Sequence, residues 1–179
     1  MSERLEDLIY TPSLQEIEEQ TAWIESQISE IGKPRLYEMA KRASEVRRGA
    51  SAALSGYLVG SVVLTKSGDT YEGVNVEIDV APLGSPYAIH AEGSGIWNSV
   101  VGGEVQKSGR RFVKAITVSH LEGSGENWSG PCGICLQDGY EFSDNALVVI
   151  ADVDGNIQHI TSLRILMPRP FTPTHLGIE

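Results

Sequence analysis

The sequence is poor in cysteine, in positive charge and in long apolar runs. Only two cysteines, Cys132 and Cys135, occur among 179 residues, and they stand three positions apart. So few cysteines exclude a disulfide-rich secreted scaffold, and their close spacing favours a metal site over a disulfide in a reducing compartment. A structural zinc site with four protein ligands is disfavoured, because the sequence has no third cysteine.

Positive charge is scarce because 14 Lys and Arg face 24 Asp and Glu, which gives a formal net charge of −10. A chain with this charge repels phosphodiester backbones, so we do not expect nucleic acid as a partner. No apolar run approaches the roughly 18 residues of a membrane-spanning helix, and the N-terminal stretch is acidic where a signal peptide is basic and then apolar. The sequence therefore predicts a cytoplasmic protein that does not bind membranes.

Hydrophobic residues make up 41% of the chain, enough for one α/β core. The first part predicts two helices. An acidic amphipathic helix runs from Ser13 to Ile31 with a capping box of Ser13 and Glu16, and a second runs from Pro34 to about Leu54. We interpret residues 1–33 as an N-terminal helical extension and residues 34–179 as the main domain.

Strands and helices alternate after the second helix. Tyr57 to Thr65 and Thr70 to Ile78 predict a hairpin, because two β-rich runs flank a turn sequence. The later elements are expected as a helix over Ala88 to about Val101, a strand over Phe112 to Ser119, a helix over Cys132 to about Phe142, strands over Ala146 to Ala151 and near Asn156 to His159, and a short helix around Ser162 to Leu166. This order predicts a three-layer α/β/α sandwich with a mixed five-stranded sheet.

Two short motifs, His90-Ala91-Glu92 and Pro131-Cys132-Gly133-Ile134-Cys135, have the clearest chemical meaning. Two thiolates and one imidazole would give zinc three protein ligands and leave a fourth position for water, as in catalytic zinc sites. Glu92 could then take the proton of that water. His-x-Glu followed by Pro-Cys-x-x-Cys is the pattern of zinc deaminases. We predict His90, Cys132 and Cys135 as zinc ligands and Glu92 as the catalytic residue.

Each motif alone has other interpretations. A Cys-x-x-Cys pair can be a redox dithiol or half of a structural zinc site, and His-Ala-Glu can be ordinary helix surface. His120 or His159 could supply a fourth ligand, although neither has a ligand-like spacing to the others. A zinc-binding interaction module without catalysis is therefore a second hypothesis. A deaminase of nucleic acid is a third, disfavoured by the net charge.

Four stretches resemble the cytidine deaminase family of nucleoside salvage, and the resemblance covers roughly Leu36 to Gly177. Residues 57–64 resemble the family's Phe-Pro-Val-Gly-Ala-Ala-Leu strand, and residues 73–77 its Gly-x-Asn-Val-Glu motif. Residues 131–137 are similar to its Pro-Cys-Gly-x-Cys-Arg-Gln motif, and residues 166–171 to its Leu-Leu-Pro-x-x-Phe motif. The resemblance implies a zinc-dependent hydrolase of pyrimidine salvage that converts cytidine or deoxycytidine to uridine or deoxyuridine and ammonia. It also implies a homodimer or homotetramer.

The resemblance further implies which residues contact the nucleoside. Asn75 and Glu77 would hydrogen-bond the ribose 3′-hydroxyl, and Ala91 would offer its backbone N–H to the base carbonyl. Tyr57, at the family's phenylalanine, would flank the pyrimidine, and Phe171 would do so from a neighbouring subunit.

The sequence departs from the family pattern at several positions. The first zinc ligand is His90, where small members have cysteine and larger members have histidine. Two arginines of the three-cysteine members are replaced by Gly93 and Leu136, which fits a ligand set without the excess negative charge of a third thiolate. The segment from Asp79 to Ile89 is longer than in the family. A deaminase of a modified cytosine nucleoside, of the blasticidin type, is therefore the alternative within enzymes.

Overall fold

The computed structural model describes residues 12–78, 87–121, 130–172 and 175. Its first helix, α1, spans Leu14–Ile31 and has the predicted capping box. The Ser13 backbone N–H donates to the Glu16 carboxylate at 2.7 Å, and the Glu16 N–H donates to Ser13 Oγ at 3.1 Å. Gly32 ends the helix with a φ of 87°, a backbone angle that favours glycine.

The second helix, α2, spans Lys33–Val46 and is followed by a single 3-10 turn over Arg47–Gly49. The prediction that this helix continues to about Leu54 was wrong. The chain leaves the helix because Ser51 pairs with a strand segment: its N–H donates to the carbonyl of Asn75 at 3.0 Å, and its carbonyl accepts from the N–H of Glu77 at 2.7 Å. Long-range pairing overrides the local helical pattern here.

A mixed five-stranded sheet forms the centre of the molecule, as predicted. Its strands are β1 (Gly60–Thr65), β2 (Thr70–Val74), β5 (Val113–Leu121), β6 (Leu147–Asp152) and β7 (Ile157–Ser162), in the spatial order β2-β1-β5-β6-β7. Only β5 and β6 run parallel, whereas the other neighbours are antiparallel. The predicted hairpin is confirmed for β1 and β2. Its second strand ends at Val74, however, and a separate short strand, β3 (Val76–Ile78), pairs with β4 (Tyr87–Ile89).

Helices cover both faces of the sheet. The remaining ones are α3 (Ala91–Val101), α4 (Glu104–Ser108), α5 (Gly133–Glu141) and α6 (Leu163–Leu166); α4 was not predicted. Val62 packs with α2, whereas its neighbour Val63 packs with α3 and α5. Alternation of this kind is expected of strands buried on both faces, and it produces two apolar cores and three layers.

Helix α1 lies on the same side as α2 and adds to that core through its C-terminal half. Trp23, Ile24 and Ile28 pack against the core. Leu14 and Ile17 in the N-terminal half are exposed. Among the described residues, no helix combines the length and apolar character needed to cross a membrane.

Candidate functional site

The first motif lies where β4 meets α3. His90 is the N-cap residue of α3, with extended backbone angles, and Ala91 is the first helical residue. The helix begins three residues later than predicted because residues 87–89 pair with β3. The first turn of α3 packs directly on β2 at Gly73, where an added Cβ would lie 2.1 Å from the carbonyl oxygen of Ala91. Only glycine at this position allows the helix to approach the sheet so closely.

The second motif begins α5 as predicted. Cys132 is the N-cap residue, and its carbonyl accepts from the N–H of Leu136 at 3.0 Å. Cys135 lies in the first turn and is buried, whereas Cys132 is exposed. Positions three apart share one face of a helix, so both sulfurs point toward the start of α3. Both motifs therefore occupy helix N-termini, where the dipole and free amides favour negative charge.

The three predicted ligand residues lie together. His90 Nδ1 lies 3.1 Å from Cys132 Sγ and 3.2 Å from Cys135 Sγ, and the two sulfurs lie 3.6 Å apart. Tetrahedral zinc, with Zn–S of about 2.3 Å and Zn–N of about 2.0–2.1 Å, requires edges of about 3.8 Å between sulfurs and about 3.6 Å between nitrogen and sulfur. The observed distances are within about 0.5 Å of these edges. The group can therefore hold one metal ion.

Glu92 is 5% exposed and borders the same group. Burial raises the pKa of its carboxyl, while hydrogen bonds with its own backbone and with Cys135 act in the opposite direction. Burial likewise raises the pKa of the Cys135 thiol. A bound cation would reverse that preference and hold the sulfur as a thiolate. The donor set thus suits a site that is completed by a metal ion.

A cavity of about 260 Å³ opens beside these residues. It brings together the predicted ligands, Glu92 and most of the predicted nucleoside contacts. Its lining comprises Ser55, Tyr57, Val59, Asn75, Glu77, Ala88, His90, Ala91, Glu92, His120, Gly130, Cys132 and Cys135. Residues 79–86, which make up most of the lengthened loop, lie outside the described residues.

Asn75 follows β2 and is 9% exposed. Its side-chain oxygen accepts from the N–H of Val59 at 2.7 Å, and its side-chain nitrogen donates to the carbonyl of Tyr57 at 2.8 Å. The amide therefore bridges the chain on both sides of residue 58. Each of its polar atoms keeps one further hydrogen-bonding position. The predicted contact with a ribose hydroxyl stays a prediction.

Glu77 lies in β3 and is half-buried. Its carboxylate accepts hydrogen bonds from the Ser55 hydroxyl and from the backbone N–H groups of Leu54 at 2.8 Å and Ser55 at 2.9 Å. These hydrogen bonds, first that from the Ser55 hydroxyl, lower the pKa of the Glu77 carboxyl. An ionised carboxylate can still accept from a ligand hydroxyl, because it has about four lone-pair positions.

Phe171 lies elsewhere. Its side chain is 58% exposed, its ring stacks on His175 with centroids 5.4 Å apart, and its carbonyl accepts from Gln137 Nε2 at 2.5 Å. It does not line the described part of the cavity. Its predicted role requires a neighbouring subunit and stays a prediction.

His120 and Asp138 were not predicted as residues of the nucleoside site. His120 was considered only as a fourth metal ligand, and it is not part of the group of described residues that could hold a metal ion. His120, at the end of β5, lines the cavity, is 5% exposed and lies 2.7 Å from the Tyr57 hydroxyl. Asp138 on α5 lies beside Gly93, where an added Cβ would be 3.0 Å from a carboxylate oxygen. Burial raises the pKa of the Asp138 carboxyl, and the charge of His90 offsets only part of this effect. Asp138 could have been found from its spacing of three from Cys135, but His120 has no sequence signal of this kind.

Comparison with known proteins finds cytidine deaminases among both curated sequences and solved structures. No protein-family model matches the chain. The chain is 34% identical over 129 residues to cytidine deaminase 3 of Arabidopsis thaliana, covering 69% of this chain and 52% of that protein. It is 30% identical over 127 residues to cytidine deaminase of Aeromonas hydrophila, covering 71% of this chain and 36% of that protein. The chain thus spans about half or less of the length of these curated relatives.

A solved structure is similar over nearly its full length. The crystal structure of cytidine deaminase from Burkholderia pseudomallei matches with a TM-score of 0.60 and 27% sequence identity. The match covers 78% of this chain and 99% of that chain. The predicted α/β fold with its mixed five-stranded sheet is therefore the fold of that solved chain. The match leaves the remaining part of this chain uncovered.

Proposed function

The chain belongs to the cytidine deaminase family, and on that premise we propose that it is a nucleoside aminohydrolase that converts cytidine and deoxycytidine to uridine and deoxyuridine with release of ammonia. The observation that carries the proposal is the convergence of His90, Cys132 and Cys135 with the buried carboxyl of Glu92 on one cavity. A non-catalytic zinc module has no use for a buried glutamate at that position.

Zinc is the metal that fits this group best. Two thiolates and one imidazole are ligands that zinc prefers, and the distances between His90 Nδ1 and the two sulfurs suit tetrahedral coordination. Three protein ligands leave one position for the reacting water, as in catalytic zinc sites. When bound, zinc supplies Lewis acidity and makes that water more acidic.

Glu92 moves the protons in the proposed reaction. Its carboxylate takes a proton from water and delivers it to N3 of the cytosine ring, while the water oxygen forms a bond to C4. It then takes the remaining hydroxyl proton and passes it to the departing N4 amine as the C4–N4 bond breaks. One water is consumed and one ammonia leaves. A buried carboxyl with a raised pKa suits a group that both accepts and returns protons.

The remaining cavity residues orient the nucleoside. We assign Asn75 and Glu77 to the ribose 3′-hydroxyl, the backbone N–H of Ala91 to the base carbonyl, and the ring of Tyr57 to one face of the pyrimidine. All four line the cavity with Glu92. Phe171 is assigned to the cavity of a neighbouring subunit, since its ring is exposed on this chain.

The proposal extends to assembly and location. We take residues 34–179 as the catalytic domain and residues 1–33 as an added helical extension. The protein acts as a homodimer or homotetramer in the cytoplasm, in pyrimidine salvage. Sedimentation of the active enzyme tests the oligomeric state, and an active monomer would contradict the role given to Phe171.

The activity is tested with zinc-loaded protein, cytidine and deoxycytidine. We expect release of one ammonia per nucleoside and a shift of the ultraviolet absorption band from cytosine to uracil. The same assay with a panel of modified cytosine nucleosides, including a blasticidin-type compound, ranks the alternative substrates. If the zinc-loaded protein turns over none of these nucleosides, the proposed function is wrong.

A further inference from the structure

Tyr57 is held from three directions by residues that line the cavity. Its backbone N–H donates to Ser55 Oγ at 2.9 Å, and Ser55 is itself bonded to Glu77. Its carbonyl accepts from the side chain of Asn75 at 2.8 Å. Its hydroxyl lies 2.7 Å from His120 Nδ1, with the two ring centroids 5.9 Å apart and the planes at 47°. The backbone and the side chain of Tyr57 are thus both tied to polar residues of the cavity.

The contact with His120 sets the direction of the Tyr57 ring. Tyr57 is 49% exposed, so packing covers only about half of the residue. His120, in contrast, is 5% exposed and directly follows Ser119, which pairs with both β1 and β6, at an irregularity of β5 before Leu121 pairs with Asp152. A hydrogen bond from a half-exposed residue to a buried one restricts the exposed partner. The bond forms with either tautomer, because a phenol hydroxyl and an imidazole nitrogen can each donate or accept.

The hydroxyl of Tyr57 also needs a partner. In the family pattern that this chain resembles, the position is phenylalanine, which has no polar atom. A hydroxyl placed in a partly enclosed wall costs free energy unless it is hydrogen-bonded. His120 supplies that bond from within the same cavity, so the two residues form one unit of the wall.

We propose that His120 is a positioning residue of the nucleoside site, and that its bond to the Tyr57 hydroxyl sets the ring orientation that flanks the pyrimidine. This inference rests on the proposed function, because it names the pyrimidine as the group that the ring contacts. His120 does not touch the reacting atoms in this account. Its effect is on nucleoside binding and passes through Tyr57.

A double-mutant cycle with cytidine as substrate tests the proposal. His120→Ala should raise KM about five- to tenfold, the range for loss of one hydrogen bond, and leave kcat within about twofold, since ring orientation affects ground state and transition state alike. In the Tyr57→Phe background, which lacks the hydroxyl, His120→Ala should change KM by less than about twofold. His120→Gln, whose amide can bond the hydroxyl, should recover most of the wild-type KM.

Equal KM effects of His120→Ala in both backgrounds would overturn the proposal, because His120 would then act independently of the hydroxyl. Loss of zinc from His120→Ala protein would overturn it too, because His120 would then be a metal ligand. His159→Ala is the matched control: His159 lies on β7 and outside the cavity lining, and its substitution should leave KM unchanged.

Readouts without turnover separate this inference from the proposed function. Uridine binding measured by calorimetry should weaken in His120→Ala by the same factor as KM rises. Nitrogen chemical shifts of the His120 ring should move in Tyr57→Phe protein. If wild-type protein turns over no cytosine nucleoside, the proposed function fails, and an unmoved His120 spectrum would then overturn the positioning as well.

Discussion

Two buried glutamates on consecutive helices have opposite surroundings. Glu92 in α3 is 5% exposed and lies among the two sulfurs and His90, whereas Glu104 in α4 is 0% exposed and lies among donors. Its carboxylate accepts from Ser67 Oγ at 2.9 Å, from the Tyr71 hydroxyl at 3.0 Å and from Lys107 Nζ at 3.1 Å. The carboxylate of Glu104 is therefore fully hydrogen-bonded within the protein, whereas the carboxyl of Glu92 faces a cavity where a ligand can bind.

The pKa values follow from these surroundings. Burial raises the pKa of Glu92, and its few hydrogen bonds do not offset that cost. Burial also acts to raise the pKa of Glu104, but hydrogen bonds from Lys107, Ser67 and Tyr71 outweigh it and lower the pKa to about 2. A buried carboxylate with full hydrogen bonding stabilises a fold, whereas one without it can exchange protons with a ligand.

The largest expected effect comes from the same substitution at both positions. Glu92→Gln should lower kcat by about 10²–10⁴-fold, because proton transfer is lost, while zinc stays bound. Glu104→Gln should leave kcat within about twofold and should lower the melting temperature, because the amide donates where the carboxylate accepted. Steady-state kinetics, metal analysis and thermal unfolding of both variants decide this. Near-normal turnover in Glu92→Gln would remove the proposed role of Glu92.

Removal of Cys135, a proposed metal ligand, tests whether a metal ion accounts for the surroundings of Glu92. Cys135→Ser should lose stoichiometric zinc and all measurable turnover, because only two strong ligands remain. The melting temperature of this variant should no longer rise when zinc is added, since a ligand stabilises only the state that binds it. Ile134→Ser is the matched control, since Ile134 lies between the cysteines and is exposed. A Cys135→Ser protein with full zinc content would show that another residue holds the metal.

Asn75 is intermediate between the two glutamates, because its amide is bonded to the backbone and also lines the cavity. Asn75→Ala should therefore show both kinds of effect. We expect a loss of about 1–3 kcal/mol in the free energy of unfolding, since Val59 N–H and the Tyr57 carbonyl lose partners, together with a higher KM for cytidine. Denaturant unfolding and kinetics measure the two effects. A change in KM without any loss of stability would mean that the bridge to the chain contributes little.

The smallest effect is the acid dependence of stability that Glu104 should cause. Its pKa is about 2 in the folded protein and near 4.5 in the unfolded chain. Its contribution is therefore complete above about pH 4.5 and is lost as the pH falls toward 2. Because its partner Lys107 is partly exposed, we expect a loss of about 1–2 kcal/mol and not the full value of the shift. Unfolding curves of wild type and Glu104→Gln between pH 5 and pH 2.5 should converge; parallel curves would contradict this.

The elements that the sequence predicted well are those with local signals. The capping box at Ser13 and the start of α5 at Cys132 depend on neighbours within four residues, and both are observed. The end of α2 was predicted eight residues too late, because pairing between Ser51 and the strand segment at residues 75–77 has no local signal. The division of the second hairpin strand at Asn75 was missed for the same reason.

The sequence by itself determined the chemistry proposed for this protein: His90, Cys132 and Cys135 as candidate metal ligands and a glutamate two residues from the histidine. Spacings of two and three residues keep each half of this group at one helix start, whereas the meeting of the two halves depends on the packing of α3 and α5. Only the tertiary structure decided how the opposite wall is built, with Ser55, Asn75 and His120 meeting at Tyr57. These residues come from a loop, a strand end and a distant strand, and sheet pairing, which sequence separation does not reveal, brings them together.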